Sequence, residues 1–489
     1  MSQKELDCAN LTRTYLVRQC RRFMRQGESS SSLRRWIIFG FQVRPAYLVA
    51  AAAVFHLFFT LTIYLIGRFA LLPGMFDVNG TGIFFATDSF VYRAESISMS
   101  GILTREGITA WLATPAPFHI RVYSLSFAAF GPVLGVNVLS IEPLNVLCYL
   151  ATLILIFKLG QEVFNRRVGL VAVASIALWP SLLLHTTQLL KDPLYIAATL
   201  GLVLVSVRWL TRVYSWPSGL AAGIAGGMVA FVLWALRVNM WGVVPVIVLL
   251  GTVLFIIRLV HDRPMIGGNL LGVVTMLVLV AAIPIFVPRP VYYMARPNGA
   301  PLVKVQDLPA AAVEAPALAD SPREPPPDVW ARPGARIGYM REGFERRYPN
   351  AGSNIDTEAQ FNNLGDVIRY LPRALSIGLF APFPNMWFTA GEQVGAYGRL
   401  LSGIETFVMY VVEALALAGL WQSRRRLATW LLLLIALACV TALGLVVLNV
   451  AALYRMRYVF WMLVILPGAY GAVKITAMFY QEREEGSES

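Results

Sequence analysis

The chain has 489 residues, of which 57% are hydrophobic and only 14% charged, and its mean hydropathy is +0.62. A soluble protein carries roughly 25% charged residues, whereas apolar runs of about 20 residues, long enough to cross a ~30 Å hydrocarbon core, recur here; a soluble protein is excluded, as is a β-barrel, which would show alternating segments of about 10 residues. The net charge of +13 does not indicate a nucleic-acid partner, because the basic residues sit in short loops beside the apolar runs, where the positive-inside rule expects them.

Residues 1–46 form a basic tail with Arg13, Arg18, Arg21, Arg22, Arg25, Arg34, Arg35 and Arg44. It reads as cytoplasmic and drawn to anionic lipid, with residues 29–32 as a flexible joint. No cleavable signal peptide is expected, since a polar, Arg-rich stretch precedes the first apolar run. A transmembrane core is expected over 47–287, opening with a span at 47–66 that runs outward. The first outer loop, 67–140, mixes Asp77, Asp88, Glu95 and Glu106 with Phe84, Phe85, Phe90, Tyr92 and Trp111, which suits short interfacial helices. Its apolar part, 119–135, is short and carries Gly131 and Pro132 as a break, so it reads as a juxtamembrane helix on the outer side.

Spans follow at 141–157, 168–184, 194–210, 219–236, 241–260 and 268–287. Lys158, Arg166 and Arg167 place the 158–167 linker in the cytoplasm and set the alternation. Gly219, Gly223 and Gly227, spaced i, i+4, i+8, predict a close-packing face. Residues 288–400 form a large outer loop. Its Ala/Pro-rich part, 309–326, reads as an irregular linker and 336–366 as more ordered. The 371–388 part, with Pro372, Pro382 and Pro384, reads as a broken, re-entrant piece. Spans at 401–421, 427–450 and 458–474 make up the C-terminal set, 401–476, for about ten in all, and 477–489 is a cytoplasmic tail. Cys8, Cys20, Cys148 and Cys439 have no spacing that suggests a metal site or disulfide framework.

This topology puts Asp88, the pair Lys191 and Asp192, Arg237, and Arg455 with Arg457 at the outer ends of spans. A charge at bilayer depth costs about 2.5 kcal/mol or more, so such groups reach water or line a polar cavity; one cavity open to the outer surface would serve all of them. Two acids and four bases suit a substrate with a phosphate and a proton to remove. Arg offers a planar fork to phosphate oxygens and Lys a point charge, and a carboxylate accepts a proton from an attacking hydroxyl. Plainer readings stand beside these: Asp88 as a loop acid, Lys191 and Asp192 as a helix cap, Arg237 as a snorkelling side chain. Arg455 and Arg457 run against the positive-inside trend. Glu413, in the middle of a span, is expected to be protonated or bonded to a neighbouring helix. His119 and His185 read as structural, since nothing makes a metal triad.

The order of these segments resembles a known family. An outer-loop acid with aromatics, DSFVYRA, is followed by RVYSLSFAAFGP, by LNVLCYLATLILIFKLGQEVFNRRVGLVAVASIALWP, and by a second outer acid in HTTQLLKDPLY. Over residues 45–240 this is similar to bacterial membrane glycosyltransferases of the GT-C superfamily, the branch of dolichyl-phosphate-mannose protein mannosyltransferases and the aminoarabinose lipid A transferase. NVAALYRMRYVFWMLVILPGAYG resembles their last spans more loosely. Ser89 follows Asp88 where many relatives have a second acid, and ProAlaProPheHis stands where many have His-Pro-Pro.

The resemblance implies an all-α GT-C fold and a polyprenyl-phosphate-linked sugar donor used at the outer face of the bacterial cytoplasmic membrane, with a lipid, glycan or protein acceptor. It makes Asp88 and Asp192 the catalytic acids of the first and second loops. Lys191, Arg237, Arg455 and Arg457, with Tyr92 beside Asp88, become the substrate-binding candidates. No cofactor is assigned, and a divalent cation stays open. Two other readings remain: an O-antigen ligase or polymerase using diphosphate-linked glycans, and a lipid or sugar transporter. A transporter would line both halves of the membrane with charge, whereas here the charges lie mostly at one end.

Overall fold

A computed structural model describes residues 45–78, 82–84, 86–262, 267–288, 293–294, 303–304, 333–347, 352–389 and 395–485. The basic tail up to residue 44 and the 309–326 linker lie outside the described residues. The chain divides into residues 1–51, of which the helical stretch 45–51 is described, and residues 52–489, which hold the features below.

The helices in chain order begin with α1 (Pro45–Arg68), α2 (Thr87–Glu106), α3 (Ile108–Ala113), α4 (Phe118–Leu134), α5 (Val138–Val163) and α6 (Arg166–Ala177). Then come α7 (Pro180–Thr186), α8 (Asp192–Thr211), α9 (Trp216–Leu236), α10 (Val243–Asp262) and α11 (Gly267–Phe286). The remainder are α12 (Pro333–Arg347), α13 (Leu364–Phe380), α14 (Gly395–Ser423), α15 (Leu427–Val446), α16 (Val450–Met456) and α17 (Tyr458–Glu485). A two-residue antiparallel pair joins Tyr293–Met294 to Val303–Lys304.

Among the described residues, nine helical segments are long and apolar enough to cross a bilayer, and the bent pair α6 and α7 makes a tenth if it counts as one span. The chain is a polytopic α-helical membrane protein. α17 is buried around its whole circumference from Tyr458 to Gly471, as befits a helix with no polar face. It packs between α6, α14 and α15, while α8 packs against α5, α9, α10 and α15.

The 168–184 run, expected as one straight span, bends by 69° between α6 and α7. Pro180 is the first residue of α7. Its ring supplies no N–H and drives the preceding residue out of helical backbone, and Trp179 is extended at ψ 108°. At 371–388 the order is reversed. α13 runs unbroken through Pro372, and the break comes at Ala381 and Pro382, ahead of a 3-10 turn at Pro384–Met386. Two features hold the helix through its proline. Asn363 and Asp366 close a capping box at its start, and Val367, Ala374, Ile377 and Gly378 are buried on the side packed against α15.

α4 is short, as expected, but runs past Pro132 and ends at Gly135, whose φ of +78° favours glycine. The glycine face is used within the chain: Gly219 and Gly223 of α9 meet the Gly268 and Gly272 backbone of α11, where a Cβ would collide with carbonyl oxygens. Small residues let the two backbones approach.

Candidate functional site

On α2, Asp88, Tyr92 and Glu95 are spaced i, i+4, i+7 and share one face. The helix packs against α4, and the Tyr92 ring meets His119 edge-on at 4.5 Å. The 187–191 strap joins α7 to α8. It is held from three sides. The Tyr123 hydroxyl donates to the Leu190 carbonyl at 2.7 Å, Asn145 Nδ2 donates to the Gln188 carbonyl at 3.1 Å, and the Ile83 N–H donates to Gln188 Oε1 at 3.0 Å. The strap delivers Lys191 and Asp192 opposite α2.

Arg455, on the two-turn helix α16, reaches between the two acids. Its Nη2 donates to Asp88 Oδ2 at 2.8 Å, and its Nε lies 3.8 Å from Asp192 Oδ2. Arg237, at the end of α9, donates from Nη2 to Asp192 Oδ1 at 2.5 Å. Its guanidinium lies over the Tyr195 ring at 5.2 Å, a face that favours cations. Four sequence-distant residues thus form one alternating chain, Asp88–Arg455–Asp192–Arg237. Its two ends differ in access: the Asp88 and Arg455 side chains are 20% and 19% exposed, those of Asp192 and Arg237 only 5% and 4%. The buried Nε atoms of Arg237 and Arg455 have no hydrogen-bond partner among the described residues. Lys191 Nζ sits 5.7 Å from the Tyr92 ring centre.

Crowding and burial tune the groups around this chain. Burial, reinforced by Arg237, brings the Lys191 ammonium down to about 8. Burial lifts the Glu95 carboxyl to about 8 against the pull of Lys191. The Tyr92 hydroxyl is raised by burial and by Asp88, and burial holds His119 well below the usual imidazole range. Burial opposes the charge on Arg455, but Asp192 and Asp88 outweigh it and hold the guanidinium above its ordinary range.

The sequence candidates fare differently. Asp88, Lys191, Asp192, Arg237, Arg455 and Tyr92 come together. Capping does not account for Lys191 and Asp192: Lys191 stands at the cap position without a side-chain cap bond, and the Asp192 carboxylate is engaged with two guanidinium groups. Arg237 is buried and paired, so it does not snorkel. Arg457 is not part of the chain of charges. It donates to the carbonyls of Gly378, at 2.9 Å, and Ala381, and lies over the Trp461 ring at 3.7 Å. Successive helical residues are turned by about 100°, so two residues past Arg455 the side chain points to the opposite side. There it serves the orphan carbonyls at the end of α13. Arg457→Met should therefore lower stability by about 1–3 kcal/mol, read as a lower Tm. An unaltered Tm would mean that these bonds do not hold the end of α13.

His185 is bonded to the Ser181 carbonyl at 2.7 Å and faces the Tyr458 hydroxyl at 3.3 Å. Both Glu413 carboxyl oxygens lack a hydrogen-bond partner among the described residues, so of the two expectations for it, the bond to a neighbouring helix is not seen there. Glu95 and His119 also adjoin the site, although the sequence does not single them out as candidates for it; the i, i+4, i+7 spacing from Asp88 is the available signal for Glu95. The segment around Ser353 and Ile355 of the large loop docks beside α16: the Ile355 N–H donates to the Leu448 carbonyl at 3.0 Å and the Val450 N–H to the Ser353 carbonyl at 3.1 Å. Among the described residues no group of three or more His, Cys, Asp or Glu side chains is arranged to hold a metal ion, and the space between Asp88 and Asp192 is taken by the Arg455 guanidinium.

No protein-family model matches this chain, and no curated protein matches it.

Proposed function

We propose that this protein is a membrane glycosyltransferase of the GT-C type. It moves a sugar from a polyprenyl-phosphate donor to a hydroxyl of a lipid, glycan or protein acceptor, with inversion, at the outer face of a bacterial cytoplasmic membrane. Both termini lie in the cytoplasm in this reading. The observation that carries it is the half-open ion pair between Asp88 and Arg455, backed by the buried pair of Asp192 and Arg237. It brings two carboxylates and two guanidinium groups within one short span, which supports the roles of proton acceptor and phosphate-binding cations that the resemblance implies.

Asp88 takes the proton of the acceptor hydroxyl. The acceptor oxygen attacks the anomeric carbon from the face opposite the phosphate, and the bond from that carbon to the phosphate oxygen breaks, leaving its electron pair on polyprenyl phosphate. Arg455 and Lys191 stabilise the charge that gathers there, an electrostatic task that gains strength away from water. Arg237 acts one step behind: it neutralises Asp192, and Asp192 in turn holds the Nε side of Arg455.

The direct test is reconstitution of the purified chain in liposomes with polyprenyl-phosphate sugars and a hydroxyl acceptor, followed by mass spectrometry. Release of polyprenyl phosphate together with a glycosylated acceptor is expected. Movement of unaltered lipid across the bilayer, or use of diphosphate-linked donors alone, would contradict the reading.

A pH dependence follows from Lys191. With its ammonium brought down to about 8, it is charged below that pH and neutral above it, so the donor KM should rise as pH climbs through about 8. Glu95 titrates in the same window, and Lys191→Arg separates the two. Arg stays charged, so the rise should vanish in that variant; its persistence would move the effect to Glu95.

A further inference from the structure

α16 is two turns long, yet it carries the guanidinium that spans Asp88 and Asp192. So short a helix is held by its neighbours rather than by its own bonds. Asn449 caps its start, with Oδ1 accepting from the Ala452 N–H at 3.0 Å and Nδ2 donating to Ser353 Oγ at 3.1 Å. Arg457 pins its far end to α13. The third anchor is Tyr454, the residue before Arg455, whose hydroxyl donates to the Glu405 carboxylate on α14.

That carboxylate has a second attachment. It accepts from the Ser181 N–H at 2.7 Å and from Ser181 Oγ at 2.6 Å, in the first turn of α7. α7 runs directly into the strap that presents Lys191 and Asp192. Glu405 is buried within an apolar span, where a carboxylate is expensive and is kept for a reason. Its bonds to Tyr454 and Ser181 end on the two elements that deliver the cations to the site. The break before Pro180 makes this possible, because the freed first turn of α7 offers its N–H to a side chain.

We infer that Glu405 is a positioning residue. It ties α16 to α7 and so sets the separation at which Arg455 and Lys191 can grip one phosphate. This rests on the lipid-phosphate reading of the site. Glu405 touches neither substrate nor the charged chain; it works through Tyr454 and Ser181. A displacement of about 1 Å at reacting groups costs on the order of 10²-fold in rate, which is the scale expected here.

The test compares Tyr454→Phe, Glu405→Gln and the double variant in the full-length protein. Each single change should raise the donor KM and lower kcat, by about 10²-fold in kcat/KM for Glu405→Gln. The double variant should be no worse than Glu405→Gln, because both cut the same link. A cryo-EM structure of Tyr454→Phe should show Arg455 moved off Asp88. This readout needs no activity: a displaced Arg455 in a protein whose parent transfers no sugar supports the positioning role and counts against the transferase instead. Arg455 in its parental place in Tyr454→Phe, with parental kinetics, overturns the inference. So does strict additivity of the two changes. Tyr454→Phe removes a single hydroxyl, so the question stays answerable if Glu405→Gln does not fold.

Discussion

Asp88→Asn is expected to abolish sugar transfer while leaving the chain folded. General-base catalysis is worth about 10²–10⁴-fold, and asparagine has no basic oxygen to take the acceptor's proton. It does keep an acceptor for the Arg455 Nη2 bond, now 2.8 Å long, so the local geometry should survive. The measurement is a single-turnover rate beside a thermal unfolding curve. A loss of two or more orders of magnitude at near-parental Tm fits Asp88 as the base. A fully active Asp88→Asn protein removes it from that role and leaves the ion pair as a structural contact.

The second large effect is expected from Arg455→Met. Methionine keeps much of the length and apolar stem but removes the charge between two carboxylates. Breaking a buried pair by deleting one partner costs about 3–5 kcal/mol. The figure here belongs at the low end or below, because Asp88 is partly exposed and Asp192 keeps Arg237. Donor binding should fall with it, since in the proposed reaction the same guanidinium binds the phosphate. Adding Asp88→Asn to Arg455→Met should restore part of the stability, as removing both members of a pair relieves the stranded charge, while transfer stays absent. Parental donor affinity in Arg455→Met would place the phosphate elsewhere.

The membrane class and the position of nearly every span are legible in the sequence, because a bilayer demands long uninterrupted apolar runs. Three departures from that reading involve proline: the bend before α7, the unbroken course of α13 through Pro372, and α4 running past Pro132. One proline at the first position of a helix bends a span at Trp179, while another in the middle of α13 is tolerated because a capping box and a packed face hold that helix. Proline alone does not say which outcome applies; what the neighbouring helix buries decides it. The charged chain is legible for a related reason. Charges at span ends are few, and a consistent alternation of spans is enough to put Asp88, Asp192, Arg237 and Arg455 at one level. Direction around a helix is not visible in that alternation, which is why it groups Arg457 with Arg455 although Arg457 faces α13. Glu405 is invisible for a different reason: its partners, Ser181 and Tyr454, stand 224 and 49 residues away, and only the folded bundle brings them together.

The most direct test of the central claim is mass spectrometry of surface glycans and glycolipids from cells that lack this protein, compared with the same cells carrying either the parental gene or its Asp88→Asn form. The account predicts one sugar modification that is missing without the protein, restored by the parental chain and still missing with Asp88→Asn. Identical glycan profiles in all three cultures, or full restoration by Asp88→Asn, would contradict it.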